Sequence, residues 1–128
     1  MAVSRRAAIA ALVSAPAVAA EAAAQPTVAG PMYGLIGKMR ATPGQRDALI
    51  AILAAGTAAM PGCLSYVIAK DALDADAIWI TEAWDSAASH KASLALPSVR
   101  AAITQGKPMI AGFGERFETQ PVAGLKPT

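Results

Sequence analysis

The chain has 128 residues, enough for one domain, with 11 basic and 9 acidic residues and 55% hydrophobic side chains inflated by alanine. It carries no basic stripe and no charge run, so no nucleic acid partner is expected. Its single cysteine, Cys63, excludes an internal disulfide.

Residues 1–20 read as a secretory signal. Ser4-Arg5-Arg6 is followed by an uncharged run from Ala7 to Ala20 that ends in small residues. That is the plan of a basic start, an apolar middle and a small-residue cleavage site. The twin arginine after a serine points to the twin-arginine export route, and so to a periplasmic or secreted protein. The run is interrupted by Pro16 and is shorter than the ~20 residues that span a bilayer, so no stable membrane anchor is expected. The competing reading is an Ala-rich N-terminal helix. Cleavage removes two of the 11 basic residues and no acid, leaving nine against nine. A mature chain of about 108 residues buries roughly two-thirds of its unfolded surface, and a dimer interface would extend so small a core.

Residues 21–31 carry Pro26 and Pro31 without a periodic pattern and read as a linker. Met32 to Arg40 is a predicted strand, with Tyr33, Leu35, Gly37 and Met39 on one face and Ile36 and Lys38 on the other. Thr42-Pro43-Gly44-Gln45 has the form of a capping box with proline at the first helical position. Leu49, Ile52, Leu53, Gly56 and Met60 then share a helical face, which Pro61-Gly62 terminates. Cys63 to Lys70 is the second strand, with Leu64, Tyr66 and Ile68 opposed to Ser65 and Val67. Asp71 to Asp76 is an acidic turn that lacks the glycine and distal glutamate of a calcium loop.

The third strand ends at Trp84, with Ile78, Ile80, Glu82 and Trp84 on one face and Trp79, Thr81 and Ala83 on the other. Asp85 and Ser86 are helix N-caps, which places His90 about one turn into a helix that begins where the strand stops. Pro97 starts another helix, with Val99 and Ile103 inward, and Gly106-Lys107-Pro108 ends it. Met109 to Glu118 is the last strand. Residues 32–120 thus form one domain, followed by a loose tail at 121–128. The order is strand, helix, strand, strand, helix pair, strand. It predicts an α+β fold of the ferredoxin-like split type, an antiparallel sheet with helices on one face.

Chemistry gathers at one corner. Trp84, Glu82 and the only histidine, His90, are expected to meet where the third strand passes into its helix. An imidazole with an ordinary pKa of about 6.5 suits a general base near neutral pH. The alternative is a histidine that packs or caps at the corner. Trp84 offers an apolar wall for a flat ring or a plain core residue. Tyr66 is placed to point its hydroxyl into the same cavity. Glu82 would be a costly lone carboxylate on a buried face unless it pairs, with Arg100 or Arg116 as the candidates, or reaches water at the sheet's end. No Gly-rich phosphate loop and no paired-cysteine motif is present, and one histidine builds no zinc site alone.

Three stretches carry a resemblance. Pro43-Gly44-Gln45-Arg46-Asp47-Ala48-Leu49, Met60-Pro61-Gly62-Cys63-Leu64-Ser65-Tyr66, and Glu82-Ala83-Trp84-Asp85-Ser86 with His90, in this order, resemble the antibiotic biosynthesis monooxygenase (ABM) domain family. The likeness covers roughly residues 33–120 and is nearest to the quinol monooxygenase branch. It implies a ferredoxin-like fold whose sheets pack together in a homodimer, a dimeric α+β barrel, with a cavity between sheet and helices. It also implies oxidation of a quinol or similar phenolic ring by O₂ with no cofactor, neither metal nor flavin. On that resemblance Trp84, Tyr66 and Glu82 hold the small aromatic substrate and His90 takes its proton. The chain contains no asparagine and no second histidine, which removes the Asn–Trp–His arrangement and the iron ligand of the family's haem-degrading relatives. The alternative reading is a non-catalytic periplasmic dimer that binds small hydrophobic or aromatic ligands.

Overall fold

Period-two stretches form four strands, and period-3.6 stretches form three helices, in the computed structural model of the chain, which describes residues 30–125. The expected signal at 1–20, most of the linker and the end of the tail lie outside the described residues. In chain order the elements are β1 (Tyr33–Ala41), α1 (Arg46–Gly56), β2 (Cys63–Lys70), β3 (Ala77–Trp84), α2 (Ala87–Ser93), α3 (Pro97–Gly106), a short 3₁₀ turn (Lys107–Met109) and β4 (Ile110–Thr119). The sheet runs β2-β3-β1-β4, antiparallel throughout. This is the expected α+β split fold, and each predicted strand is found within a residue or two of its expected bounds.

The registers decide which side chains share a face. Leu35 pairs with Glu82, and Glu82 with Tyr66. The same face carries Ile78, Ile80 and Trp84, and the helices cover it. Ala41, Leu49, Ile78 and Ile80 form its buried centre, with Met39, Leu53, Tyr66, Ile68 and Ile110 packed around them. The opposite face carries the cross-strand row Val67, Thr81, Ile36 and Phe117. No helix among the described residues is long and apolar enough to cross a membrane.

Four local expectations are corrected. The capping box does not form: Thr42 to Gly44 make a turn with Gly44 at φ +80°, and α1 begins at Arg46 with no side-chain cap from Gln45. A left-handed residue at that point is incompatible with the first helical turn. Met60 is not on the α1 face, because the helix has already ended at Gly56. The regular alternation expected from Leu64 to Ile68 is broken at its start, because the β2–β3 register slips between Cys63 and Ser65 and leaves Leu64 unpaired and half-exposed, although it borders the same groove as Tyr66. Ile103 does not point inward. The buried stripe of α3 is Val99, Ala102 and Gly106, small residues that let α3 approach Gly56 of α1, and Ile103 is rotated out to the surface.

Candidate functional site

The corner between β3 and α2 is built by short-range bonds. Gly62, at φ +84°, lets the chain enter β2 and accepts the backbone N–H of Asp85 at 2.9 Å. That contact fixes the end of β3. Ser86 then caps α2: its backbone is extended and its Oγ accepts the Ser89 N–H at 3.1 Å. The capped turn brings His90 back over the strand it has just left. Its ring lies 5.5 Å from Trp84, edge-on at 74°, and 5.1 Å from Tyr33 at a 34° tilt.

Glu82 is the centre of the cluster. Its Oε1 accepts the indole N–H of Trp84 at 2.9 Å and lies 3.8 Å from His90 Nε2, with both the carboxylate and the imidazole largely buried. The indole N–H meets part of the cost of holding a carboxylate out of water. The ion pairs expected with Arg100 or Arg116 are not made; Arg116 instead lies 3.8 Å from Glu118, which accepts the Tyr33 hydroxyl at 2.7 Å.

The carboxylate also lines a chamber of about 220 Å³ on the helix-covered side of the sheet. Leu35, Met39 and Ile80 are apolar walls of this chamber, Phe113 stands at one side, and Arg116 brings a positive charge. The four residues singled out from sequence divide here. Glu82, Trp84 and His90 meet, but only Glu82 borders the chamber. Trp84 is fully buried and leaves no ring face for a ligand, so its contact with the site is the bond to Glu82. Tyr66 faces a different groove, between α1 and the edge strand β2, together with Met60 and Cys63.

The surroundings tune the neighbouring groups. Burial, reinforced by the Glu82 charge and by Cys63, pushes the Tyr66 hydroxyl well above the usual phenol range. Burial does the same to the Cys63 thiol, against an opposing backbone hydrogen bond of Ser65 and with added repulsion from Glu82. Neither group is an acceptor of protons near neutrality. No cluster of three or more His, Cys, Asp or Glu able to hold a metal ion occurs among the described residues.

Sequence reasoning missed Met39 and Phe113 as site residues, and saw Arg116 only as an ion-pair partner. Met39 and Phe113 meet through the β1–β4 register, which also carries an irregularity between Gly37 and Met39. The one available signal was alternation: Leu35 and Met39 share the face assigned to Tyr33.

The family model described as antibiotic biosynthesis monooxygenase matches residues 32–105. A candidate antibiotic biosynthesis monooxygenase from Chloroflexus aurantiacus is 71% identical; the match covers 73% of this chain and 95% of that one, with a TM-score of 0.71. A protein from Pseudomonas aeruginosa shares the fold at 22% identity, covering 73% of this chain and 97% of its own, with a TM-score of 0.64. A second candidate antibiotic biosynthesis monooxygenase, from Deinococcus radiodurans, does so at 24% identity, covering 75% and 98%, with a TM-score of 0.60. No curated protein matches the chain.

Proposed function

The chain belongs to the antibiotic biosynthesis monooxygenase family, and from that premise we propose that it oxidises a quinol or related phenolic ring with O₂, using the Glu82–His90 pair as its base. The observation that carries the reading is the position of Glu82, with one oxygen held by Trp84 and near His90 while its carboxylate borders an apolar chamber. A ring hydroxyl in that chamber gives its proton to the carboxylate, and His90 shares the charge. The 3.8 Å gap between Oε1 and Nε2 closes to hydrogen-bond length when the site is occupied. Arg116 stabilises the ring anion.

The ring anion then carries the reaction with O₂. An electron passes to O₂, the two radicals join at a ring carbon, and the base removes the hydrogen from that carbon as the O–O bond breaks. One oxygen atom stays on the ring as a carbonyl and the other leaves as water. A quinol plus O₂ becomes a hydroxyquinone plus water, and all four electrons come from the substrate. The test is O₂ uptake by the purified protein with a reduced naphthoquinone, with the hydroxyquinone product identified by mass. Binding of the quinol without uptake would make the chain the ligand-binding module instead.

The reading includes a homodimer and export. The row Val67, Thr81, Ile36 and Phe117 leaves an apolar strip on the sheet face away from the helices, which supports pairing with a second copy. Export rests on Ser4-Arg5-Arg6 and the uncharged run after it. Replacing Arg5 and Arg6 by lysine should hold the precursor in the cytoplasm, and an unchanged periplasmic yield would remove the assignment.

A further inference from the structure

The chamber beside Glu82 is small. Pockets that enclose a drug-sized ligand usually measure roughly 300–1,000 Å³, and this one measures about 220 Å³. It suits a ring head and little more. It does not stand alone. A second cavity of about 650 Å³ runs between α3, the 3₁₀ turn and β4, and two residues, Met39 and Phe113, line both spaces. Leu53 and Ile110 are apolar walls of this groove, and Lys107 is its one charged lining residue. At its open side stand two large apolar side chains in water, Ile103 at 51% exposure and Phe113 at 75%. Exposed apolar groups that border a groove leading to a reactive carboxylate call for an apolar ligand along it.

We propose that this groove is the tail-binding half of the site: the substrate is a phenol or quinol bearing a long apolar chain, its ring beside Glu82 and its chain running past Phe113 toward Ile103. The proposal rests on the quinol reading and adds the substrate class. A water-soluble ring would leave the larger space unused. A chain of isoprenoid or alkyl type buries methylenes there without needing polar partners, and Lys107 is the one charged side chain the groove walls offer. Such a tail binds ground state and transition state alike, so it lowers KM and leaves the chemistry at the ring unaltered.

The experiment compares two quinols with the same naphthalene head, one bare and one carrying a two-isoprene tail, in O₂ uptake by the full mature chain. A buried methylene is worth up to about fourfold in affinity, so even partial burial of the tail should lower KM at least roughly tenfold. In Ile103→Asp that preference for the tailed quinol should fall toward unity, with circular dichroism confirming the fold, and Phe113→Ser should reduce it as well. Equal KM values for the two substrates in wild type, or a preference that survives both substitutions, would overturn the proposal. So would a change of molecular mass in Ile103→Asp, which would mean that a second copy covers the groove. If neither quinol is turned over, the oxygenase reading fails by itself. Calorimetry with the two oxidised quinones then decides the groove separately, through a tail-dependent affinity that is either lost in Ile103→Asp or absent from the start.

Discussion

Trp84 donates its indole N–H to Glu82 Oε1 at 2.9 Å, from two residues further along the same face of β3. The donor is fully buried and the acceptor borders the chamber, so the tryptophan sets the orientation of one of the two acidic groups, Glu82 and Glu115, that line it. Trp84→Phe keeps an aromatic ring in the core but leaves the carboxylate without this donor. The expected cost is about 1–3 kcal/mol, read as a fall of roughly 4–8 °C in Tm for each kcal/mol in a domain of this size. An unchanged Tm would mean that Glu82 finds another partner.

Glu82→Gln and His90→Ala should each lower kcat for quinol-dependent O₂ uptake by about 10²–10⁴, the usual worth of a positioned base. The double variant should be little worse than either single one, because in the proposed mechanism the two groups act as one proton acceptor. Calorimetry with the oxidised quinone should show near-normal affinity in His90→Ala. Full turnover in His90→Ala would return the histidine to a packing role between Trp84 and Tyr33.

Gly62 holds the corner by having no side chain. At φ +84° any other residue is strained, and an added Cβ would stand 2.6 Å from Ser89 Cβ and 2.9 Å from Asp85 Oδ1. Gly62→Ala should destabilise by about 1–3 kcal/mol through strain and overpacking. Gly37→Ala, a site with open space around its missing side chain, serves as the control. Urea midpoints of the two variants measure the difference; equal midpoints would remove the role given to the corner.

Alkaline stability follows from Cys63 and Tyr66. Both are held above their ordinary values, chiefly by burial, so the fold favours their neutral forms. The contribution is fully present below the unfolded values of 9.0 and 10.0 and is lost as pH rises through the higher folded ones. Chemical denaturation should show stability falling above about pH 9, and Cys63→Ala with Tyr66→Phe should flatten that limb. A limb unchanged in the double variant would place its origin elsewhere.

Val67 and Phe117 stand half-exposed at the two ends of one cross-strand row. Light scattering at micromolar concentration should give about twice the chain mass, and Val67→Lys with Phe117→Lys should give the single-chain mass with the fold intact, because a charge on each apolar end opposes burial of the row. A wild-type monomer at high concentration would end the dimer proposal.

The sequence by itself determined the corner. Alternation through Ile78, Ile80, Glu82 and Trp84 and the Ser86 cap are local properties, set by bond geometry within a few residues, and they place His90 near Trp84 and Glu82 without reference to the rest of the chain. The order of elements likewise implied the sheet with helices on one face. Only the tertiary structure decided which of those groups sees the chamber. Met39 and Phe113 come together through the pairing of β1 with β4, whose irregular register no local pattern encodes. The rotation that buries Ala102 and turns Ile103 out depends on the close approach of α3 to Gly56. The slip at Leu64 belongs to the β2–β3 pair and not to β2 alone. Periodicity tells which residues share a face, but contact between elements distant in sequence depends on packing, and packing is a property of the whole fold.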